Sequence, residues 1–125
     1  MRVEKKILVV DDTLISRKGT TFLLKSIGFE SDDAEDGRAA IELVKNAKYA
    51  AILMDCHMPE IDGFECTVKI RELERTTGSR IPIIAFTAHK SEDLRARAMK
   101  SGMDDLLEKE CTTEELHQTL SRIID

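Results

Sequence analysis

The stretch Ala50-Ala51-Ile52-Leu53-Met54-Asp55, followed at once by Cys56-His57-Met58-Pro59, decides how this chain folds. It is a short, nearly unbroken apolar run that ends on a carboxylate and enters a proline-containing loop, with Asp62-Gly63 beyond. A run of that length between turn signals predicts a strand buried on both faces. A buried strand should not finish on a charge unless the charge faces a cleft. In parallel α/β sheets the carboxyl ends of the strands open onto the ligand crevice. Asp55 is therefore placed like a reactive group.

A second run, Lys6-Ile7-Leu8-Val9-Val10, ends on Asp11-Asp12. If the two strands are parallel neighbours, three carboxylates converge at one end of the sheet. Unit charges ~4 Å apart at an effective dielectric near 20 repel by about 4 kcal/mol. Such a cluster binds a cation, holds a proton or is offset by a lysine. All-oxygen ligands with open positions favour Mg²⁺, which takes one or two carboxylates plus phosphate and water. The residues point to a magnesium-dependent phosphoryl site.

Apolar runs alternate with helical patterns along the whole chain, the mark of βα units and a parallel sheet. A helix is predicted over Thr13 to Ile27, with Ile15, Gly19, Phe22, Leu23 and Ile27 on its buried stripe and Gly28 as its stop. Phe29 to Ala34 reads as a weak, acidic edge strand, and Asp36-Gly37 turns into a helix carrying Ala40, Ile41 and Val44. Gly63 opens a helix through Phe64, Val68 and Arg71, and Ile81 to Phe86 is the fourth strand, ending on Thr87. Ser91 caps the next helix, which stops at Gly102. Asp104 to Glu108 is a short fifth strand ending on Lys109, and Thr112 with Glu115 forms a capping box for a last helix that buries Leu116, Leu120, Ile123 and Ile124. Polar residues thus end strands one, three, four and five, while strand two contributes none. A sheet ordered 2-1-3-4-5 switches direction between strands one and three, where the acids lie.

With 125 residues the chain reads as one domain, 1–125. Its 34% charged and 42% hydrophobic residues suit a globular protein. A net charge of −5 and the lack of any basic run argue against a nucleic-acid or membrane surface. No apolar segment reaches spanning length and no signal-peptide core is present. Cys56, Cys66 and Cys111 are odd in number, follow no zinc spacing, and are expected to be reduced thiols in a cytoplasmic compartment.

These features together resemble the receiver domain of two-component response regulators. The resemblance rests on Asp11-Asp12 after the first strand, Met54-Asp55 with Met58-Pro59 and Asp62-Gly63, Thr87-Ala88 after the fourth, and Lys109 after the fifth. It implies a flavodoxin-like (βα)5 three-layer sandwich and a phosphoacceptor rather than a turnover enzyme, one that slowly hydrolyses its own acyl phosphate. Asp55 would be the phosphoacceptor. Asp12, Asp55 and the main-chain carbonyl of His57 would ligate Mg²⁺, Asp11 would hold metal-bound water, and Thr87 and Lys109 would contact the phosphoryl oxygens. The donor would be a phosphohistidine on a histidine kinase or histidine phosphotransfer protein. The wording Met-Asp-Cys-His-Met-Pro resembles the receivers of hybrid kinases, though a stand-alone regulator fits as well.

Two departures from the family stand out. Leu106 occupies the place of a usual switch aromatic, so a small conformational response is expected. Glu110 occupies the place of a usual proline, and a non-proline cis bond costs ~3 kcal/mol. A trans Lys109–Glu110 bond is therefore expected, with Lys109 still reaching Asp55. The same departures leave room for a docking platform whose switching has decayed. A phosphatase with an Asp-x-Asp nucleophile does not fit Asp11-Asp12-Thr13, and a flavodoxin would need a phosphate cradle that the first loop lacks. His57 and His89 lie two residues beyond Asp55 and Thr87, where they are candidates for tuning the lifetime of the phosphorylated state. Leu14, beside the acids, is a candidate partner contact, and His117 is expected to face solvent.

Overall fold

The computed structural model describes residues 6–124. Five strands alternate with five helices: β1 (Lys6–Val10), α1 (Leu14–Ser26), β2 (Glu30–Ala34), α2 (Gly37–Asn46), β3 (Ala51–Met54), α3 (Gly63–Thr77), β4 (Ile83–Thr87), α4 (Glu92–Ser101), β5 (Asp105–Glu108) and α5 (Thr113–Ile124). The strands are all parallel, in the order β2-β1-β3-β4-β5. The expected architecture holds, and the strand ends agree within a residue or two.

The alternation of side chains along a strand divides the core in two. Leu8, Val10, Ile52, Met54, Ile83 and Ala85 point to one face, where Ala40 of α2, Phe64 and Ile70 of α3 and Leu94 and Ala98 of α4 cover them. Ile7, Val9, Leu53, Ile84 and Phe86 point to the other, under Leu24 of α1 and Leu116 and Leu120 of α5. Because both faces are covered, the central strands read as continuous apolar runs.

Helix boundaries follow local chemistry. Ser91 accepts the Leu94 amide at 3.1 Å, and Gly102 closes α4 in the left-handed region with φ 110°. At α5, Thr112 and Glu115 exchange backbone and side-chain bonds of 2.9 and 3.0 Å, the reciprocal box expected there. Far from the acids, Arg71 of α3 donates to the carbonyls of Ile81 and Gly102 and to Glu74 and Asp104, bolting α3 to the starts of β4 and β5.

One expectation is overturned. The predicted buried stripe of α1 does not hold: Ile15 is 85% exposed and Phe22 72%, while Arg17, Thr20 and Leu24 are buried and Leu23 and Ile27 partly so. On the inward face Leu24 meets the core, with Leu23 and Ile27 at its margin, while the turn nearest the acids is occupied by Arg17, whose Nη1 donates to the Asp11 carbonyl. Val68 of α3 is likewise 43% exposed.

Candidate functional site

The strand register brings the site together. Val10 pairs with Met54, so Asp11 and Asp55 leave neighbouring strands side by side, and the Asp55 amide donates to the Val10 carbonyl at 2.9 Å. Thr87 pairs with Glu108, so Lys109 leaves β5 next to β4, and its amide donates to the Thr87 carbonyl at 2.7 Å. Asp11, Asp12 and Asp55 each offer a carboxylate oxygen, all within 4.8 Å of one another. Asp11 and Asp55 are buried and Asp12 is exposed.

Lys109 joins the two buried acids. Its Nζ lies 2.9 Å from Asp11 Oδ2 and 3.5 Å from Asp55 Oδ2. Asp11 is the more heavily held, since its Oδ1 accepts the Thr13 amide at 3.0 Å and its Oδ2 also accepts the Ser16 hydroxyl. Asp55 Oδ1 accepts one donor, the His57 amide at 3.2 Å. This asymmetry sets the acidities. Burial pushes Asp11 up, but Ser16, Thr13 and Lys109 together outweigh it and hold the carboxyl below its usual range. Burial pushes Asp55 up, and Lys109 and the His57 amide do not fully offset it. Lys109 also pays for burial, yet Asp11 and Asp55 keep its ammonium above the ordinary lysine range.

Peptide bonds among the described residues are trans, Lys109–Glu110 included, and Glu110 is exposed rather than turned into the pocket. Thr87 is buried at the same end of the sheet, with its hydroxyl donating to the His89 carbonyl at 3.3 Å. Leu106 is buried in the core. The His57, His89 and His117 side chains are exposed, and the His117 ring lies 6.2 Å from that of Phe29. Cys56, next to Asp55, is fully buried, and burial with Asp55 and Asp62 nearby pushes its thiol up to about 12, so it is an inert neighbour.

Two features behind the acids were not anticipated. The first is Gly63: a Cβ there would lie 2.2 Å from the Asp55 carbonyl oxygen and 2.9 Å from Cys56 Cα. The start of α3 thus abuts the backbone of Asp55, with the Gly63 amide donating to the Cys56 carbonyl at 3.1 Å. The second is the set Ser16, Arg17 and Asp33. The spacing of Ser16 one helical turn past Asp12 was a usable signal for the first of these, whereas a buried Arg17–Asp33 pair leaves no mark in the apolar pattern.

The donor set fits a small hard cation. Three carboxylates converge with one exposed and one singly held, and the oxygen-only chemistry suits Mg²⁺. A family model described as the response regulator receiver domain matches residues 7–121. The chain belongs to this family. Among related receivers, hybrid signal transduction histidine kinase B of Dictyostelium discoideum is 39% identical over 90% of this chain, and histidine kinase CKI1 of Arabidopsis thaliana is 39% identical over 84%. The chain spans 6% and 11% of the lengths of those two proteins. The solved receiver domain of CKI1 complexed with Mg²⁺ and BeF3⁻ superposes with a TM-score of 0.85 at 35% identity, covering 95% of this chain and 89% of that one. The receiver domain of the sensor histidine kinase PA1611 of Pseudomonas aeruginosa, with a magnesium ion coordinated in its active-site cleft, has a TM-score of 0.86 at 34% identity and 98% coverage of both chains. The likeness to receivers thus covers both the sheet and the end of it where the acids lie. No helix among the described residues is long and apolar enough to cross a membrane.

Proposed function

We propose that residues 1–125 act as one receiver unit in which Asp55 accepts a phosphoryl group from a phosphohistidine, in a Mg²⁺-dependent transfer. The observation that carries this is Asp55 at the end of β3, with Lys109 Nζ at 3.5 Å and two further carboxylates beside it. Asp12, Asp55 and the His57 carbonyl would hold the ion, with Asp11 acting through water. When bound, Mg²⁺ supplies the positive charge that lets an anionic nucleophile and an anionic phosphoryl group approach each other.

The chain's own residues do the rest. Asp55 presents its carboxylate at the open end of the sheet, and the His57 amide orients one of its oxygens. A carboxylate oxygen attacks phosphorus, the P–N bond to the donor imidazole breaks, and the imidazole leaves with the bonding electrons. Lys109, already between Asp11 and Asp55, is a compact cation placed to meet a phosphoryl oxygen. The Thr87 hydroxyl leaves the His89 carbonyl, a single bond of 3.3 Å, and turns to the new phosphoryl group. His57 and His89 flank the path of the hydrolytic water and set the lifetime of the acyl phosphate.

The donor is a histidine kinase or histidine phosphotransfer protein. Its docking face is the outward side of α1, where Leu14, Ile15 and Phe22 are 58%, 85% and 72% exposed and Leu14 lies three residues past Asp11. The free cysteines accord with a reducing, cytoplasmic setting. Incubation with a small-molecule phosphodonor, with and without Mg²⁺, followed by intact-mass measurement tests the reading. One phosphoryl group should appear only with Mg²⁺ and not on Asp55→Asn. A magnesium-dependent gain on Asp55→Asn would place the acceptor elsewhere.

A further inference from the structure

Strand β2 lies at the sheet edge and places none of its own side chains among the three acids, yet it is tied to them through α1. Arg17 is 9% exposed. Its Nε donates to Asp33 Oδ2 at 2.6 Å, and its Nη1 donates to the main-chain carbonyl of Asp11 at 3.0 Å. Lys18 Nζ stands 3.5 Å from the same Asp33 oxygen. On the other side, the Asp11 amide donates to the Ala34 carbonyl at 3.1 Å. Both backbone groups of Asp11 are therefore held by the carboxyl end of β2, one directly and one through a buried guanidinium.

We propose that Arg17, braced by Asp33, is a positioning residue that sets the Asp11–Asp12 turn for Mg²⁺. The Asp11 carbonyl and the Asp12 amide belong to one rigid peptide plane. A donor fixed on that carbonyl fixes the plane, and with it the direction in which the Asp12 side chain departs. Asp12 is exposed, and among the described residues no side chain bonds it, so its approach to an ion depends on the backbone beneath it. The guanidinium makes two bonds in divergent directions, which an ammonium on a shorter reach does not reproduce. Groups that orient metal ligands without touching the metal contribute through the geometry of those ligands, and their loss costs ~10-fold or more in metal affinity.

The inference rests on the proposed Mg²⁺ site, and its test separates the two. Mg²⁺ is titrated into wild type, Arg17→Lys and Asp33→Asn by calorimetry, without any phosphodonor. Amide hydrogen exchange at Thr13, whose N–H bonds Asp11 Oδ1, is followed in the metal-free proteins. The global stability of each variant is taken from urea unfolding. Both variants are expected to bind Mg²⁺ ~10-fold more weakly, and to exchange Thr13 faster than their change in global stability explains. Phosphorylation should return toward the wild-type rate at saturating Mg²⁺, the split expected of positioning rather than chemistry. Mg²⁺ affinity within about twofold of wild type in both folded variants overturns the clamp while leaving the metal site standing. If wild type binds no Mg²⁺, the metal site falls, and wild-type Thr13 exchange in the variants then refutes the clamp independently. If a variant does not fold, the remaining one decides.

Discussion

Replacing Gly63 by alanine is the smallest change that should disable the site without touching any charged group. The new Cβ would lie 2.2 Å from the Asp55 carbonyl oxygen, 2.9 Å from Cys56 Cα and 3.0 Å from the Asp55 carbonyl carbon. An ordinary contact begins near 3.4 Å, so about 1 Å of movement is required. All three obstacles are backbone atoms, and none swings away as a side-chain end does. Overpacking of this kind costs ~1–3 kcal/mol in stability, and displacement of a reacting group by ~1 Å costs about 100-fold in rate. Gly19 in α1 is the control, because a Cβ there meets nothing within 4 Å. Gly19→Ala should be neutral or stabilising by roughly 0.5–1 kcal/mol, the helix-interior cost of glycine. The assay is the rate of phosphorylation by a small donor at saturating Mg²⁺, set beside urea unfolding. Gly63→Ala is expected to slow transfer far more than its loss of stability explains. A folded Gly63→Ala protein that phosphorylates at the Gly19→Ala rate would refute the argument that α3 fixes the Asp55 backbone.

Further outcomes follow from the same geometry. Asp55 is held above its normal range and Asp11 below it, so their contributions to stability run in opposite directions with pH. The Asp11 contribution is present above its unfolded value and is lost as pH falls through its folded value; the Asp55 contribution is present at low pH and is lost as pH rises through its folded value. In the metal-free protein, Asp55→Asn should therefore be more stable than wild type at neutral pH, and Asp11→Asn less stable, by thermal unfolding across pH. Tyr49→Phe removes a 2.7 Å bond to Asp32 from a buried ring and should cost about 1–2 kcal/mol in urea unfolding. With a phosphoryl mimic at Asp55, amide shift changes should stay within the pocket and residues Thr87 to Met99, because buried Leu106 has no polar tip and gains little by moving; large changes through α5 would mean that leucine does serve as a switch.

The strand ends were legible because buried parallel strands are continuous apolar runs, and a charge at the end of one stands out. Asp11, Asp55 and Lys109 were found that way, and the register brings them within a few ångströms. The face of α1 was not legible. Apolar periodicity marks a stripe that wants cover but does not say whether the core or a partner covers it, and Ile15 and Phe22 face outward. The inward face carries Arg17 and Thr20, which a hydrophobic pattern scores as surface. Strand β2 was read as contributing nothing to the site for the same reason: Asp33 acts through a guanidinium from a distant segment. Gly63 was read as a helix start, and its closeness to the Asp55 backbone arises from tertiary packing alone.

One carboxylate, Asp55 at the end of β3, is the proposed carrier of the phosphoryl group. Borohydride reduces an acyl phosphate to the alcohol, so aspartyl phosphate is recovered as homoserine and the site is read by peptide mass spectrometry. Protein phosphorylated with a small donor and Mg²⁺, then reduced, should carry homoserine at position 55 and at no other aspartate, and the signal should vanish without Mg²⁺. Homoserine at position 11 or 12, or phosphate that survives on an imidazole, would contradict the account.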